Sequence, residues 1–251
     1  MQTIQIEYHD GVALVTLNRP VTNALSLQLA NELTEALARV KQDTGVRGLV
    51  LASSSGKFFS IGFDIPQLFE LAREDFYIFY RAFNQVCTDL YTLPKPTVAA
   101  ITGHAIAGGC ILALCCDYRF IAAGHKLMGL NEIKLGVPVP YLADCILQRV
   151  AGVRNGRDML DGGEFYPPEQ LLQMGIVDRV LPLEQVLPES IEKAQSLGAS
   201  PQSAFAMIKR NRVETVEARV LAHREEKERL FVECWYSDKA RERLREAIEK
   251  F

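Results

Sequence analysis

The stretch over residues 100–117, AITGHAIAGGCILALCCD, is the one around which the rest of the sequence is organised. A β-rich run over 97–101 leads through small residues into a segment, 110–116, that is apolar on every side. This order predicts a strand, a small-residue turn and a buried helix. The glycines let a ligand approach the backbone, and the first amides of a helix have no partner within it. The turn can therefore stabilise a developing negative charge. The alternative is that the small residues serve only tight packing of the helix on the strand.

Composition argues against two classes of partner. The chain has 251 residues, 48% hydrophobic and 24% charged, which is typical of a globular protein of one large domain or two small ones. A formal net charge of -3 gives no electrostatic basis for binding nucleic acid or an anionic membrane. No apolar run is long enough to span a bilayer, and the first residues resemble neither a signal nor a transit peptide. We therefore expect a cytoplasmic protein without either partner.

The cysteines and histidines predict neither disulfide bonds nor a metal site. The six cysteines form no Cys-x-x-Cys pair, and three of them lie in the apolar helix, where cysteine behaves as a small hydrophobic residue. We expect them to be reduced and buried, as in a cytosolic protein. The four histidines have no metal-ligand spacing, so no metal is expected. His104, beside Gly103, is interpreted as a packed turn residue rather than as an acid.

The remaining sequence alternates predicted strands with predicted helices. Strands are expected over 3–8 and 12–17, joined by an Asp10-Gly11 hairpin turn, and over 46–52, 118–123 and 176–181. A helix capped by Ser26 carries an apolar stripe as far as Val40. Further helices are predicted over 76–93, 141–150, 153–160, 167–174, 203–221 and 224–251, and a loop or short helix over 127–136. Such alternation predicts an α/β fold with crossover connections.

Three segments bear on a ligand, the core or a partner, and two of them leave alternatives open. The loop over 53–64 carries three phenylalanines, more apolar surface than a solvated loop usually has, so we expect it to fold over a ligand. The aromatic stripe in the helix over 76–93 is typical of core, with a pocket wall as the alternative. The charged tail is either a solvated helical face or a surface on which Phe231, Trp235 and Phe251 pack against a neighbouring subunit.

Five motifs together resemble the crotonase (enoyl-CoA hydratase/isomerase) superfamily. They are LNRP…NAL at 17–25, KFFSIGFDI at 57–65, KPTVAAITGHAIAGGC at 95–110, LCCDYRFIA at 114–122 and LNEIKLGVP at 130–138. The resemblance runs in register from about residue 1 to the C-terminus. It implies stacked ββα units that form two sheets, followed by a helical trimerisation region. Residues 1–195 would form the core with an acyl-CoA site, and residues 196–251 would hold together a homotrimer or hexamer.

The resemblance also implies a ligand and a set of site residues. The ligand would be an acyl-coenzyme A thioester, with no metal or redox cofactor. By motif position, the backbone amides of Phe63 and Gly108 would bind the thioester oxygen, and Glu132 would be the catalytic acid and base. Hydratases of this superfamily use two glutamates, and the position of the first is occupied here by Ile111. Composition alone would make Glu132 a surface glutamate in a loop.

One carboxylate suffices to move a double bond, and LNEIKLG resembles the mitochondrial-type Δ3,Δ2-enoyl-CoA isomerases, which rely on a single glutamate in an LNE motif. The resemblance therefore favours an isomerase. The alternatives are thioester hydrolysis, a double-bond shift on a ring substrate, weak hydration, and a non-catalytic acyl-CoA-binding subunit.

The resemblance places further residues near the ligand. Arg19 and Lys57 stand where the family often has basic groups beside the coenzyme A phosphates, although solvated charge is the alternative for both. Ile61 and Ile111 are expected to line the substrate site. Asp64 is expected beside it, shaping the loop by accepting backbone amides. Asp144, on the helix after Pro140, is a candidate to assist protonation, a role that the sequence leaves open.

Overall fold

The computed structural model describes residues 1–249 as ten strands and nine α-helices. The strands are Ile4–His9 (β1), Val12–Leu17 (β2), Gly48–Ser53 (β3), Phe58–Ser60 (β4), Thr97–Ile101 (β5), His104–Ile106 (β6), Tyr118–Ala122 (β7), Met128–Gly129 (β8), Phe165–Tyr166 (β9) and Arg179–Leu181 (β10). The helices are Leu27–Gln42 (α1), Ile65–Phe69 (α2), Arg73–Tyr91 (α3), Gly108–Leu114 (α4), Tyr141–Gly162 (α5), Pro168–Gln173 (α6), Leu183–Gly198 (α7), Gln202–Trp235 (α8) and Asp238–Ile248 (α9). A 3₁₀ turn covers Glu132–Leu135.

The larger sheet contains six strands in the order β1-β2-β3-β5-β7-β10. The β1–β2 pair is an antiparallel hairpin whose turn residues, Asp10 (φ 46°) and Gly11 (φ 84°), both have the left-handed backbone that a tight hairpin needs. The other pairings are parallel and require crossover connections. The predicted hairpin and the predicted parallel strands are therefore confirmed, with β10 shorter than predicted.

Helices bury both faces of this sheet. On one face, α1 and α3 pack against each other over the main core, and the predicted cap is present because the Ser26 side chain accepts a hydrogen bond from the Leu29 amide. On the other face lies α7, a helix that the sequence analysis did not predict. It packs closely on β3, since a Cβ on Gly48 would lie 3.0 Å from the carbonyl oxygen of Ala194.

The smaller sheet, in the order β4-β6-β8-β9, corrects two predictions. The predicted loop over 53–64 contains β4, and the predicted small-residue turn before α4 contains β6. Glycine permits the close approach of these segments. A Cβ on Gly109 would lie 2.3 Å from the carbonyl oxygen of Ser60, and a Cβ on Gly103 would lie 2.6 Å from the amide nitrogen of Phe58. No side chain larger than hydrogen fits at either crossing.

The helices in the second half of the chain also differ from prediction. The two helices predicted over 141–160 form one element, α5, interrupted where Gly152 is non-helical. The predicted break near residue 222 is wrong, because α8 runs unbroken through His223 to Trp235. The chain breaks instead at Ser237, whose side chain caps α9 by accepting from the Ala240 amide. The predicted boundary after residue 195 lies inside α7, and the division into two regions stays a prediction.

The apolar residues of the tail pack within the chain itself. Phe231 and Trp235 are 2% and 1% exposed. Their rings stack on those of Tyr80 and Phe76 on α3. Both expectations for these two residues, a solvated face and a neighbouring subunit, are therefore wrong. Their side chains pack instead against the aromatic stripe of α3. Phe251 lies outside the described residues.

Two further observations concern the described residues. No helix among them is long and apolar enough to cross a membrane. All six cysteines are free thiols; five are buried as predicted, and Cys234 is partly exposed.

Candidate active site

A cavity of about 270 Å³ opens at the point where the smaller sheet meets the C-terminal helices. Its lining combines the start of α4, the 3₁₀ turn and residues from α8 and α9. Phe58 and Ile61, from the predicted ligand loop, also line it. The expectation that this segment folds over a site therefore agrees with where its aromatic and aliphatic side chains lie.

The backbone at one end of the cavity brings two amides together. Phe63 and Gly108 both line the cavity, and a Cβ on Gly62 would lie only 2.9 Å from the Gly108 nitrogen. The Leu25 amide donates to the Gly62 carbonyl at 2.7 Å, and the Asp64 amide donates to Leu25 at 3.0 Å, which fixes the segment between them. Among the described residues, neither the Phe63 nor the Gly108 amide donates a hydrogen bond.

The turn that presents these amides has an unusual backbone. Gly62 has a φ of 91°, and Ala107, directly before α4, has a φ of 48° although it carries a Cβ. Such a conformation costs free energy in a residue other than glycine and persists only when its surroundings impose it. The Ala107 amide donates to Gly129 at 2.8 Å, and its carbonyl accepts from Ile111 at 2.9 Å. The smaller sheet and α4 thus hold the turn from both sides.

Glu132 lines the same cavity and is not a surface residue. It is 6% exposed, and its Oε2 has no hydrogen-bond partner among the described residues. Burial raises the pKa of this carboxyl to about 7, although the backbone amides of Glu132 and Asn131 oppose the shift. The 3₁₀ turn fixes the residue, because the Val137 amide donates to the Glu132 carbonyl at 3.1 Å. A carboxyl with such a pKa can both accept and donate a proton near neutral pH.

The rest of the lining is almost entirely apolar. Among the described residues that form it, Glu132 is the only titratable group. Ile111, expected in the substrate site, is 1% exposed and packs in the core without lining the cavity. Asp144 does not line it either, and its Oδ1 accepts from the Gln148 side chain at 2.6 Å. Within residues 1–249, no second carboxylate therefore lines this cavity opposite Glu132.

Arg19 and Asp64 bind each other. Arg19 Nη2 lies 2.5 Å from Asp64 Oδ2, and Arg19 Nη1 donates to the Ala24 carbonyl at 2.9 Å. Asp64 also caps α2 by accepting from the Gln67 amide at 3.2 Å. The pair fixes the segment that presents Phe63. Its contribution to ligand binding stays a prediction.

Lys57, a candidate for binding coenzyme A, and His104 lie outside the cavity. Lys57 is exposed, with its Nζ 5.3 Å from the ring centre of Phe58. A role for Lys57 in binding coenzyme A also stays a prediction. His104 is the first residue of β6 and not a turn residue as predicted; it is half-buried, and its Nδ1 accepts from the Leu127 amide at 3.1 Å. Burial, with Lys126 and Lys57 nearby, lowers the pKa of His104.

The described residues contain no cluster of three or more histidine, cysteine or acidic side chains that could hold a metal ion. The cavity instead presents two backbone donors and one carboxyl in an apolar setting. That arrangement can stabilise an oxyanion and move a proton beside it.

Sequence reasoning missed the wall formed by the C-terminal helices. Phe231 and Trp235 on α8, and Ala247 on α9, line the cavity more than 90 residues after Glu132 in the sequence. The available signal was their spacing, because residues four apart share a helix face, and α3 presents an aromatic stripe of the same spacing. Phe165 from β9 was also missed.

Comparisons with known proteins all lead to one family of enzymes. The sequence profile of a family described as "Enoyl-CoA hydratase/isomerase" matches residues 7–251. The chain is similar to human mitochondrial enoyl-CoA delta isomerase 1, at 31% identity over 241 residues that make up 96% of this chain and 80% of that protein. It is similar to a probable enoyl-CoA hydratase of Bacillus subtilis, at 31% identity over 259 residues, covering 100% of this chain and 97% of that protein.

A solved structure supports the same relationship. The crystal structure of human mitochondrial delta3-delta2-enoyl-CoA isomerase superimposes with a TM-score of 0.96 at 30% identity, covering 99% of this chain and 98% of that one. The predicted α/β fold class with C-terminal helices is thereby confirmed.

Proposed function

The chain belongs to the enoyl-CoA hydratase/isomerase family, the crotonase superfamily, and on this premise we propose that it is a Δ3,Δ2-enoyl-CoA isomerase. The observation that carries the proposal concerns the described lining of the cavity, which is otherwise apolar: it holds one buried carboxyl, Glu132, and two backbone amides, of Phe63 and Gly108, that donate to no described residue. The human relative is named for the same kind of reaction. The substrate is an acyl-CoA thioester, and the reaction needs no resident cofactor.

In the proposed reaction, the thioester oxygen accepts hydrogen bonds from the amides of Phe63 and Gly108. Glu132 removes a proton from the carbon next to the thioester, and the electron pair spreads over the carbonyl and the double bond as a dienolate. Each amide stabilises the oxyanion by about 3–4 kcal/mol. Because the negative charge appears only in the transition state and the intermediate, these donors lower the barrier rather than only strengthening substrate binding.

Glu132 then returns the proton two carbons further along the chain. One C–H bond breaks and one forms, the double bond moves by one position, and no net proton is taken up or released. A pKa of about 7 suits both steps, because the carboxylate must accept a proton and the acid must give it back. The apolar lining excludes water, which would otherwise trap the intermediate or exchange the proton.

The same cavity is poorly suited to hydration. Adding water across a double bond needs a water molecule oriented between two carboxylates, one that accepts a proton and one that donates it. Among the described lining residues only Glu132 is acidic, since Ile111 occupies the other family position. Hydratase names also occur among the relatives, so hydration is the first competing activity to measure.

We further propose that the chain assembles as a homotrimer or hexamer through the region over 196–251. Support comes from α8, where Met207 and Ile208 are 68% and 66% exposed, with Leu221 and Leu230 also exposed. Light scattering during size-exclusion chromatography measures the mass directly. A monomer at micromolar concentration would refute the assembly without touching the proposed chemistry. A cytoplasmic location stays a prediction.

The deciding experiment compares two substrates. Purified protein is incubated with a 3-enoyl-CoA and, separately, with a 2-enoyl-CoA, while conjugation, water addition and free coenzyme A are followed together. We expect conversion of the 3-enoyl to the 2-enoyl thioester with negligible water addition. Release of coenzyme A would indicate a thioesterase, rapid hydration a hydratase, and tight binding without any product an acyl-CoA-binding subunit. Isomerisation of a ring substrate alone would indicate a specialised double-bond shift.

A further inference from the structure

Two rings from α8 form the wall of the cavity on the side of the C-terminal helices. Phe231 and Trp235 lie one turn apart on α8, both line the cavity, and both are almost completely buried. Ala247, on α9, lines the cavity as well. This wall carries no charged group, so it faces the apolar part of whatever occupies the cavity.

A second layer of rings holds the wall in place. The Phe76 ring stacks on that of Trp235 with centroids 4.3 Å apart, and the Tyr80 ring stacks on that of Phe231 at 4.0 Å. Phe76 and Tyr80 are themselves 0% and 1% exposed on α3. Because close-packed rings fixed on two helices have no space into which to rotate, a ligand cannot displace the wall by changing one side-chain rotamer.

The wall also lies close to the reacting end of the cavity. The ring of Phe63, whose amide is the proposed oxyanion donor, has its centroid 6.3 Å from that of Trp235. Both rings line the same cavity, so Trp235 bounds the apolar space on the side where the Phe63 ring lies. The cavity volume of about 270 Å³ is also at the low end for a small-molecule site, for which roughly 300–1,000 Å³ is usual.

We propose that Trp235, backed by Phe76, ends the acyl subsite, so that the enzyme acts on short-chain, uncharged 3-enoyl thioesters and excludes long-chain ones. This inference rests on the proposed function and specifies its substrate class. Trp235 is a specificity-determining residue and takes no part in proton transfer.

The first test measures kcat/KM of the wild-type protein for 3-hexenoyl-CoA and 3-dodecenoyl-CoA. We expect a preference of at least about 100-fold for the shorter substrate, because chain that does not fit the pocket must displace packed groups. Equal kcat/KM for the two substrates would overturn the proposal, whatever the variants show.

The second test changes the wall in both directions. Trp235→Leu shortens the wall and should raise the dodecenoyl-to-hexenoyl ratio by about tenfold or more, since each newly accommodated methylene contributes roughly fourfold. Ala247→Leu adds bulk and should lower kcat/KM for 3-hexenoyl-CoA relative to 3-butenoyl-CoA. It removes no core packing, so it keeps the test valid if Trp235→Leu does not fold.

A matched control separates specificity from stability. Phe120→Leu shortens another buried aromatic, one that packs in the core on the opposite face of the larger sheet and does not line the cavity. It should lower the melting temperature while leaving the chain-length ratio as in wild type. A ratio that changes equally in Phe120→Leu and Trp235→Leu would show that loosened packing, and not the wall, sets chain length.

Binding measurements distinguish this inference from the proposed function. Titration calorimetry with butyryl-, hexanoyl- and dodecanoyl-CoA, which have no double bond to move, reports the length of the subsite without turnover. Tighter binding of the short thioesters in a protein that isomerises nothing would preserve the wall and refute the isomerase. Isomerase activity with equally tight binding of all three thioesters would support the isomerase and refute the wall.

Discussion

The two sheets of this protein differ in the length of their strands and in the residues that they supply to the cavity. Five of the six strands in the larger sheet have five or six residues, and nearly all of their side chains beyond β1 are buried. The strands of the smaller sheet have two or three residues. Yet it is the smaller sheet that supplies Phe58, Ile106 and Phe165 to the cavity. The larger sheet is a scaffold stabilised by burial, and the smaller sheet is a site framework that depends on close backbone crossings.

The largest expected effect comes from comparing the same substitution at two buried glutamates, one that lines the cavity and one that does not. Glu132→Gln should lower kcat by about 10²–10⁴-fold while the protein folds normally, because the amide cannot accept and return the proton. Glu228, 3% exposed, contacts Arg224 at 3.1 Å and Arg81 at 3.5 Å and lies outside the cavity lining. Glu228→Gln should lower the melting temperature and keep turnover. Wild-type turnover in Glu132→Gln would refute the assigned base.

The second effect tests the backbone crossing in the smaller sheet. In Gly109→Ala the new Cβ would lie 2.3 Å from the Ser60 carbonyl oxygen, and buried backbone cannot move aside cheaply. We expect the free energy of unfolding to fall by about 3 kcal/mol or more. Gly56→Ala is the control, because nothing lies within 4 Å of its Cβ, and it should change stability by less than about 0.5 kcal/mol. Urea denaturation of both variants measures the difference in their free energies of unfolding. Equal effects would show that the backbone crossing at Gly109 is not essential to stability.

The third effect is a pH dependence that only the site should show. Glu132 must be ionised to remove a proton, so kcat/KM should fall below pH 7, with a one-proton slope, as the carboxyl is protonated. Stability runs the other way. Between pH 4.5 and 7 the folded state binds more protons at this residue than the unfolded state, so its unfavourable contribution grows as pH rises.

Glu132→Gln removes that contribution. It should therefore be more stable than wild type by about 3 kcal/mol above pH 7, and the difference should disappear towards pH 4.5. Chemical denaturation across this pH range measures both curves. A difference independent of pH would show that the carboxyl is ionised as readily in the folded as in the unfolded protein.

The smallest effect belongs to the scaffold. Burial raises the pKa of Glu32, but hydrogen bonds from the amides of Thr3 and Gln2 outweigh it and lower that pKa to about 2. Glu32→Gln should cost about 0.5–1 kcal/mol of stability at pH 7 and leave turnover unchanged. Because the folded pKa is lowered, the wild-type advantage should persist above pH 4.5 and vanish as pH falls through 2. An advantage that remains at pH 2 would contradict this account.

The contrast between the sheets also explains which features the sequence could predict. Long strands such as β2 and β3 carry apolar periodicity, and the cap at Ser26 is a local signal. Two or three residues are too few to show a period, so β8 and β9 could be found only through the partners with which they pair. The helix α7 was not predicted, and it contains Pro188, which lacks the backbone N–H of a helical hydrogen bond and is typical of a helix end rather than its interior.

Motif positions identified Glu132, Phe63 and Gly108 as candidates, but their surroundings are long-range properties. The raised pKa of Glu132 depends on burial, and the cavity that it lines is shared with Phe231 and Trp235, about 100 residues away in the sequence. The break predicted near His223 was wrong because polar residues on the exposed side of a helix do not end it, whereas Ser237 supplies a side-chain acceptor that begins a new one.

The position of α8 and α9 in the chain determines when, during synthesis, the parts of the cavity become available. Both helices follow all ten strands in sequence, and a ribosome delivers the chain from its N-terminus. Each new molecule therefore receives the residues of both sheets, and Glu132, before it receives the α8 and α9 side of the cavity. A nascent chain that ends before α8 lacks Phe231 and Trp235, so it cannot yet enclose the proposed site.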